Sequence, residues 1–364
     1  MLKNTSKYNF CIFLHNGIGD LIMALPFLLA LKNELSPTDR VIVYVKCKIS
    51  KTLLCYANLG SYFEYEILNR DKILSTCLSL RKQKLEYLFA PQATGDWRMP
   101  VLILLIGAKK NYGVSSNISW LNRLAFTKSI KHSLELKIHR TIHHLELLKE
   151  SGLKCEVDLS PKLSIPQSLR NEARKTILRD IYSYSDLYIL APGSKPSEYK
   201  KRWPAEYFAE LSYRIIRSDK DALVIISGDP SELELCQSIF EHVHKEAQSR
   251  VMIVCLPDIR LFLGLLTLAT AVIANCSAVS HIATALGVKV LCLYGPTNPD
   301  NTGPISPYLY VHRLGLECSP CYSVHPLYLG CEERPCLKNM MPSKVYDTLI
   351  DFKKGLIKHN NKWV

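Results

Sequence analysis

Residues 271–299, which read AVIANCSAVSHIATALGVKVLCLYGPTNP, decide the fold. A short apolar strand comes first and breaks at the small-residue loop 275–277. A helical run over residues 280–286 then ends at Gly287, where a C-capping glycine is expected, and a second apolar strand follows. Strand, loop, helix and strand form half of a doubly wound unit, whose loop presents backbone N–H groups at the carboxyl edge of the sheet. A nucleotide diphosphate can bind there, although an ordinary crossover without a ligand shares the same pattern.

The same alternation of strands and helices extends along the chain. Strands are predicted over residues 10–14, 41–45, 85–89, 187–190, 222–226, 251–255, 271–274 and 289–294. Helices are predicted over residues 21–33, 99–106, 138–150, 169–181, 205–216, 232–240, 259–269, 280–286 and 343–356. This alternation predicts an α/β fold with parallel sheets and helices on both faces. A chain of 364 residues is too long for one ordinary core, so we expect two domains, with the Pro- and Ser-rich residues 158–168 leading to the boundary.

The composition is that of a globular protein, with 48% hydrophobic residues, 22% charged residues and a net charge of +13. The apolar runs are too short to span a bilayer, and we expect no signal peptide. Thirteen cysteines, many of them in apolar segments, are typical of reduced thiols in a cytosolic protein. The charge comes without a nucleic-acid-binding signature, so it favours an anionic substrate at a membrane surface over DNA or RNA. A merely well-solvated surface is the alternative.

Short motifs lie in a fixed order along the chain. They are GIGDL at residues 17–21, APGS at 191–194, KRWP at 201–204, and NCSAVSH at 275–281 with YGPT at 294–297. Together they resemble glycosyltransferase family 9, the ADP-heptose:lipopolysaccharide heptosyltransferases, over nearly the whole chain. The cysteine-bearing segment CSPCY at residues 318–322 is similar to the type II branch of that family.

The resemblance implies an inverting, metal-independent enzyme of the GT-B type, in which two Rossmann-like, doubly wound domains face a central cleft. On this basis residues 1–168 form the acceptor-binding domain and residues 169–342 the sugar-nucleotide-binding domain. Residues 343–364 are expected to contain a helix that returns to the N-terminal domain.

Asp20 is the candidate general base. An inverting transfer needs a carboxylate near the acceptor hydroxyl, opposite the leaving diphosphate. Asp20 follows a predicted strand and begins a helix, and Gly19 beside it lets the backbone approach a substrate closely. A helix N-cap is the alternative role, and from the residue alone it is the more common one. The resemblance favours the base, and the two roles are compatible.

Lys201 is the second candidate catalytic residue, since the resemblance implies that it contacts the donor diphosphate. An ammonium there offsets charge on the leaving group without a metal ion. Ser194 and the N–H of Gly193 add phosphate contacts, and Glu232 matches a glutamate that binds the nucleoside ribose. The alternatives are a solvated basic loop around Lys201 and an acidic residue in a first helical turn for Glu232, where Glu234 competes.

The loop at residues 275–281 supplies the other donor-binding candidates. They are Asn275, Cys276, the backbone N–H groups of Ser277, Ala278 and Val279, and the side chain of His281. The sequence departs from the family here, because heptosyltransferases usually carry an aspartate at the position of Cys276 and a glycine at the position of Ala278. The departure leaves the identity of the donor sugar open.

On the acceptor side, the candidates Gln92 and Arg98 lie in the segment where the family contacts the phosphorylated Kdo or heptose of the inner core, and Lys109 is a third candidate that extends this basic patch. Arg98 can clamp a phosphate or a carboxylate with two parallel hydrogen bonds, and Lys110 and Arg123 extend the basic patch. Surface charge is an equally good interpretation of each of these residues.

Two further groups suggest metal chemistry. Cys318, Cys321, Cys331 and Cys336 form C-x2-C-x9-C-x4-C, which could hold a structural zinc or iron ion or could be four free thiols. A metal finger of this sort occurs in the relatives that glycosylate autotransporter proteins. The histidines at positions 139, 143 and 144 lack the glutamate of H-E-x-x-H, so we interpret them as structural or acceptor-facing.

The function that these features favour is transfer of a heptose from ADP-heptose, or a related sugar nucleotide, to the lipid A–Kdo inner core of lipopolysaccharide. We expect a cytoplasmic protein that is peripheral to the inner membrane and binds no nucleic acid. The alternatives are a protein (autotransporter) heptosyltransferase, a family member that uses another nucleotide sugar, a GT-B epimerase and a degenerate, non-catalytic donor-binding protein.

Overall fold

The computed structural model describes residues 9–60, 62–92, 97–115, 119–131, 138–181, 183–322, 331–360 and 362–364. The chain divides into two compact units, Met1–Pro161 and Lys162–Val364. The boundary therefore falls slightly before the predicted one at residue 168. The reason is that Leu163 already belongs to the second unit, where its N–H donates to the carbonyl oxygen of Ala285 at 2.8 Å.

The first unit is built on a parallel sheet. Its strands are β1 (Asn9–Leu14), β2 (Arg40–Val45), β3 (Phe63–Ile67), β4 (Tyr87–Ala90), β5 (Lys110–Ser115) and β6 (Lys128–Lys131). Its helices are α1 (Ile18–Met23), α2 (Leu25–Glu34), α3 (Lys48–Cys55), α4 (Ile73–Lys82), α5 (Arg98–Ile106), α6 (Trp120–Ala125) and α7 (Arg140–Glu150). The strand order is β3-β2-β1-β4-β5-β6, and every pair is parallel.

The second unit repeats this plan with a different sequence. Its strands are β7 (Leu187–Ala191), β8 (Leu223–Gly228), β9 (Val251–Cys255), β10 (Ala271–Asn275), β11 (Val290–Leu293) and β12 (Leu309–His312). Its helices are α8 (Gln167–Ile177), α9 (Ala205–Ser218), α10 (Leu233–His242), α11 (Lys245–Gln248), α12 (Ile259–Leu266), α13 (Ala278–Ala285), α14 (Pro299–Thr302), α15 (Pro335–Lys338) and α16 (Pro342–Lys354). The strand order is β12-β11-β10-β7-β8-β9, again all parallel.

Both sheets thus have the strand order of the doubly wound dinucleotide-binding fold, and the prediction of two such units is confirmed. In this fold the order reverses beside the first strand, and ligands bind outside the carboxyl ends of the strands at that point. The reversal lies between β1 and β4 in the first unit and between β7 and β10 in the second. The loops and helix starts that follow these four strands contain most of the predicted site residues.

Most interior strands read as continuous apolar runs because helices cover both faces of each sheet; the exception is β5, which begins with Lys110 and Asn111. β1 is buried from Phe10 to Leu14, and all of β7 and β10 is buried. Four strands, β3, β5, β6 and β12, were not predicted, and three of them lie at a sheet edge. An edge strand is short and half exposed, so its sequence lacks the apolar run that identifies an interior strand.

Two predicted helical features need correction. The helix predicted over residues 21–33 is two helices that meet at Ala24, because Pro26 has no N–H to bond the carbonyl of the preceding turn. The final helix, α16, lies in the second unit, where Val345 and Leu349 are fully buried in its core. It packs on α9 and β12 of that unit, so the predicted return to the N-terminal domain is wrong. Among the helices of the described residues, none has the length and apolar composition that crossing a bilayer requires.

Candidate functional site

Asp20 lies in the first turn of α1, directly after β1 at the point where the strand order of the first sheet reverses. Gly17 is the N-cap of this helix, and its N–H donates to Oδ2 of Asp20 at 3.2 Å. The carboxylate therefore supports the start of the helix, as the N-cap interpretation anticipates, from position N3 rather than from the cap itself. Its other oxygen remains available for a second partner.

That second partner is Arg140, the first residue of α7. Its Nη1 forms an ion pair with Oδ1 of Asp20. The Asp20 side chain is 16% exposed to solvent and the Arg140 side chain 29%. Burial acts to raise the pKa of Asp20, but the Arg140 guanidinium and the Gly17 N–H outweigh it and hold the pKa below its ordinary value. Asp20 is therefore an ionised, oriented carboxylate at neutral pH.

Gln92 joins Asp20 at this edge of the sheet. It follows β4, the neighbour of β1, and its Oε1 accepts the N–H of Asn16 at 2.6 Å. Gln92 is buried, and among the described residues its Nε2 has no hydrogen-bond partner. An amide donor held beside the Asp20 loop can bind an acceptor hydroxyl or phosphate oxygen.

Of the other two predicted acceptor residues, Arg98 follows β4 and Lys109 precedes β5. Arg98 is exposed at the start of α5, and residues 93–96, which precede it in the predicted acceptor loop, lie outside the described residues. Lys109 precedes β5 and therefore lies at the amino end of the sheet, opposite the Asp20 edge. Its Nζ pairs with Glu86 at 2.7 Å and its side chain is 70% exposed. The structure thus separates Lys109 from the candidate site.

The histidines of the α7 segment are buried and have local partners. His139 caps α7 by accepting the N–H of Thr141 at 3.1 Å, and Nδ1 of His143 lies 3.2 Å from Glu146. His144 bonds the carbonyl oxygen of Met23 at 3.4 Å. These contacts support the structural interpretation of the three histidines.

His144 makes the stability of the first unit depend on pH. Burial lowers the pKa of His144 to about 4, against the opposing attraction of Asp20, while Arg140 and His143 act in the same direction as burial. An unfolded histidine titrates near pH 6.5. Between these values the unfolded chain binds more protons than the folded one, so we expect stability to fall as the pH drops from about 6.5 towards 4 and to be unaffected above pH 7.

We therefore expect the free energy of unfolding of the first unit to decrease by about 2 kcal/mol between pH 7 and pH 5 through His144. His144→Gln should remove most of that decrease, whereas His242→Gln, which changes an exposed histidine of α10, should retain it. Urea unfolding at the two pH values measures the difference. Equal pH dependence in the wild type and His144→Gln would show that this histidine is not buried in its neutral form.

In the second unit, Gly193 and Glu232 form the centre of the candidate donor site. Gly193 follows β7, and a Cβ at this position would lie 1.9 Å from Oε1 of Glu232. A Cβ at Gly193 would displace this carboxylate, so glycine here allows the Glu232 carboxylate to lie against the loop after β7. Burial raises the pKa of Glu232, with the Asp229 N–H at 3.1 Å opposing it. A half-buried carboxylate beside a glycine loop could accept hydrogen bonds from ribose hydroxyls, and that predicted role of Glu232 stays a prediction.

Arg202 fixes the conformation of this loop. Its Nε donates to Oγ of Ser194 at 3.1 Å and its Nη2 to the Ser194 carbonyl at 2.6 Å. The same Nη2 lies 4.0 Å from Glu232. Ser194 therefore has a structural partner in addition to its predicted phosphate contact, and Arg202 links it to Glu232.

Lys201 ends the 3₁₀ helix Pro196–Lys201 and is almost entirely buried. Its Nζ donates to Oε2 of Glu198 at 2.7 Å and lies 4.1 Å from the centroid of the Tyr322 ring. The Tyr322 hydroxyl donates to the other oxygen of Glu198 at 3.2 Å. Burial acts to lower the pKa of Lys201, but Cys276 and the Glu198 carboxylate outweigh it and the pKa is raised. Lys201 is therefore a charged ammonium in a fixed position, unlike an exposed basic loop.

Tyr322 lies beside Lys201 because the backbone of Cys321 and Tyr322 is hydrogen-bonded to the loop after β11. The N–H groups of Cys321 and Tyr322 both donate to the carbonyl of Pro296, at 2.9 and 2.8 Å. A Cβ on Gly295 would lie 2.7 Å from Leu337, so the segment after β11 also packs closely against α15. The cysteine-bearing segment therefore forms one wall of the Lys201 environment.

The loop between β10 and α13 is hydrogen-bonded to the loop after β7. Asn275 is fully buried; its Nδ2 donates to the Pro192 carbonyl at 2.7 Å and its Oδ1 accepts the Trp203 N–H at 3.0 Å. Asn275 thus ties the two loops together and is a supporting residue rather than a free donor. Ser277 is the N-cap of α13, and its Oγ has no hydrogen-bond partner in the described part of the chain.

The remaining candidates of this loop are positioned at or near the start of α13. Cys276 is half-buried beside the N-cap, and Ala278 and Val279 begin the helix, so their N–H groups lie among those that have no acceptor within the helix. His281 is buried one turn later. The structure therefore brings this loop, Lys201, Gly193 and Glu232 to the same edge of the second sheet.

The four cysteines of the predicted metal site all belong to the second unit. Burial and the proximity of the other three thiols raise the pKa of Cys336 to about 11. The thiols of Cys318, Cys321, Cys331 and Cys336 thus lie in one region, but among the described residues no three metal-binding side chains are close enough to hold an ion. Residues 323–330, between the two cysteine pairs, lie outside the described residues.

A cavity of about 450 Å³ lies at the amino ends of β10 and β11, lined by residues of the α8 start and by Gly287, Val288 and Lys289. It is therefore at the opposite end of the second sheet from Gly193 and Lys201, and it is not the candidate donor site.

Four residues of the site were missed from the sequence, namely Arg140, Glu198, Arg202 and Tyr322. Arg140 and Tyr322 have partners that are far away in the sequence: Arg140 pairs with Asp20, and Tyr322 contacts Glu198 and Lys201. Tyr322 stood in a quoted motif, but only its cysteines were considered. The acidic Glu198 between Lys195 and Lys201 is the one signal that could have indicated a paired rather than a solvated lysine.

The chain matches known proteins over most of its length. The sequence model of glycosyltransferase family 9 (heptosyltransferase) matches residues 77–328, which is more than half of the chain. The lipooligosaccharide heptosyltransferase 2 of Campylobacter jejuni is 26% identical over 349 residues, which cover 93% of this chain and 98% of that protein.

Two solved structures share the fold. The structure of E. coli ADP-heptose LPS heptosyltransferase II superposes with a TM-score of 0.76 at 18% identity, covering 96% of this chain and 99% of that one. A family 9 glycosyltransferase from Veillonella parvula gives a TM-score of 0.75 at 19% identity, covering 96% and 97%. Both matches extend through the two doubly wound units, and they confirm the predicted GT-B fold.

Proposed function

The chain belongs to glycosyltransferase family 9, the heptosyltransferases, and from this premise we propose that it transfers a heptose from ADP-heptose to the inner core of lipopolysaccharide. The names of its relatives support this choice, because the C. jejuni protein is a lipooligosaccharide heptosyltransferase and the E. coli protein uses ADP-heptose. The observation that carries the proposal is the pair of charged groups at the two sheet reversals: the Asp20 carboxylate in one unit and the buried Lys201 ammonium in the other.

The second unit binds the nucleotide in this proposal. The diphosphate lies against the Gly193 loop and the first N–H groups of α13, where the helix end attracts anions. Lys201 contacts the diphosphate and offsets the negative charge that grows on ADP as the bond to the sugar breaks. A positioned ammonium supplies this stabilisation without a metal ion. Glu232 accepts hydrogen bonds from the ribose hydroxyls.

The first unit binds the acceptor. Asp20 accepts the proton of the acceptor hydroxyl as its oxygen forms a bond to the anomeric carbon, and ADP leaves from the opposite face, so the configuration inverts. Arg140 keeps the carboxylate ionised and oriented before the reaction. Gln92 orients the acceptor through its Nε2. The acceptor is the lipid A–Kdo inner core, so the protein works at the cytoplasmic face of the inner membrane.

Cys276 bears on the choice of donor. The thiol lies beside Lys201 and the start of α13, at the position where the resemblance implies an aspartate. A thiol is a much weaker acceptor for a sugar hydroxyl than a carboxylate. We propose that the protein still takes a heptose, with the hydroxyl contact supplied by other groups, and the identity of the transferred sugar is the part of the proposal to test first.

The test is mass spectrometry of the lipopolysaccharide core from a strain that lacks this protein, with and without a plasmid that restores it. We expect a core shortened at a heptose position, restored by the wild-type gene and not by Asp20→Asn. A core that lacks a different sugar would identify another donor. An unchanged core would contradict the proposal and favour a protein acceptor or a non-catalytic role.

A further inference from the structure

Helices that cover a sheet normally bury one face and expose a polar one. In the first unit, α4, α5 and α6 lie side by side, and they bury Leu80, Ile103 and Ala125 in one core cluster with the sheet. Their inward faces therefore follow the rule. Their outward faces do not, and this surface has no part in the site described above.

The outer face of these helices exposes large apolar side chains at helical spacing. On α4, Leu74 and Leu78 are 64% and 58% exposed; on α6, Trp120 and Leu124 are 72% and 64% exposed. These pairs are four residues apart, so each pair lies on one side of its helix. The middle helix, α5, adds Leu104 and Leu105, and its N-cap residue Trp97 is also exposed. We call these seven residues the outer apolar face. Such a surface on a single chain indicates an interaction site.

The charged residues within α4, α5 and α6 are all of one sign. The helices contain Arg81 and Lys82 on α4, Arg98 on α5 and Arg123 on α6, and none of the three has an acidic residue in its sequence. The whole chain has a net charge of +13. The partner must therefore offer both an apolar interior and a negatively charged surface.

We propose that the outer apolar face of α4, α5 and α6 docks on an anionic lipid bilayer. Trp and Leu side chains then enter the boundary between headgroups and acyl chains, and the arginines and Lys82 contact the anionic headgroups. A second copy of this chain fits less well, because a symmetric contact through this face brings positive charges against positive charges.

The docking surface deepens the proposed function, since an enzyme that glycosylates a lipid-anchored acceptor gains from being held at the membrane. Vesicle binding is nevertheless measured without donor or acceptor, so the docking surface and the glycosyl transfer can fail separately. Transfer to a short, water-soluble acceptor should be unaffected by changes in the outer apolar face.

The experiment is co-sedimentation of the full-length protein with vesicles of phosphatidylcholine, with and without anionic phosphatidylglycerol. We expect binding only to the anionic vesicles and weakening of binding at high salt. Trp120→Ser with Leu124→Ser should weaken it by about tenfold or more, because both side chains leave the acyl boundary. Lys82→Gln with Arg123→Gln should weaken it by about fivefold per residue.

Leu314→Ser with Leu356→Ser is the matched control, because it removes two exposed leucines from the second unit. It should leave vesicle binding within about twofold of the wild type, since neither leucine lies on the outer apolar face. Three results would overturn the proposal: no binding of the wild type to anionic vesicles, equal losses in the control, or a wild-type dimer that Trp120→Ser with Leu124→Ser dissociates. Circular dichroism of each variant checks that the fold is intact.

Discussion

Replacing Asp20 by asparagine is expected to reduce kcat for glycosyl transfer by about 10²–10⁴-fold, the usual contribution of a positioned general base. The variant removes the basic oxygen of residue 20 but keeps its hydrogen bond at the start of α1. The asparagine oxygen can still accept the Gly17 N–H, which Oδ2 of Asp20 accepts at 3.2 Å, so the start of α1 is retained. What the variant lacks is the charge that pairs with Arg140 and the basic oxygen that takes up the proton. Steady-state kinetics with a lipid A–Kdo acceptor measure the loss.

The matched control is Asp258→Asn, in a residue that also stabilises a helix start. Oδ1 of Asp258 accepts the N–H of Arg260 at 2.8 Å and caps α12 in the second unit. We expect kcat within about twofold of the wild type for this variant, because asparagine is as good a cap as aspartate. Comparable loss in both variants, or full activity of Asp20→Asn, would show that Asp20 serves only to begin α1.

Replacing Lys201 by methionine is expected to reduce kcat by about 10²–10³-fold, as the loss of a preorganised charge at the leaving group does. ADP should also bind about 10- to 100-fold more weakly, because a charge-assisted hydrogen bond to the diphosphate is lost. Methionine has a similar length and no charge, so the packing under the Tyr322 ring is preserved. Enzyme kinetics and calorimetric titration of ADP measure the two effects.

Lys195→Met is the control for Lys201→Met, since both lysines pair with Glu198. Nζ of Lys195 lies 3.6 Å from Glu198, and the Lys195 side chain is 59% exposed. Nζ of Lys201 lies 2.7 Å from Glu198, and the Lys201 side chain is only 9% exposed. Exposed ion pairs contribute little, so we expect less than about a twofold effect for Lys195→Met. If the two variants lose activity equally, the site depends on the general charge of the loop and not on a placed ammonium.

The local parts of the site could be predicted from the sequence. Asp20 after β1, Gly193 after β7 and the start of α13 are each fixed by a strand that ends and a helix that begins, and both signals lie within a few residues. Within the second unit, the strand order then brings the loops after β7 and β10 together. The fold class followed for the same reason, because interior strands of a covered parallel sheet are unbroken apolar runs.

The long-range parts could not be predicted. Arg140, the partner of Asp20, is 120 positions away in the sequence. Tyr322, which contacts Lys201, lies in a segment that is hydrogen-bonded to the loop after β11. No periodicity encodes such contacts. Lys109 was misplaced because a basic residue near a strand looks the same at either end of it, and only the strand's direction shows that it faces away from Asp20.

The final helix, α16, was misplaced for a related reason. An amphipathic helix requires an apolar surface to cover, but its sequence does not say which unit provides that surface. Val345 and Leu349 are buried in the core of the second unit, with α9 beside them. The short and polar edge strands could not be predicted from the sequence either, because their stability comes from a neighbouring strand rather than from their own apolar residues.

The most direct test of the division of work between the two units is calorimetric titration of ADP into the wild type, Asp20→Asn and Lys201→Met, together with a transfer assay of each. We predict that Asp20→Asn binds ADP within about twofold of the wild type while transferring almost no sugar, and that Lys201→Met loses both ADP affinity and transfer. If Asp20→Asn lost ADP affinity as Lys201→Met does, or if Lys201→Met bound ADP as the wild type does, the assignment of acceptor activation to Asp20 and of diphosphate binding to Lys201 would be wrong.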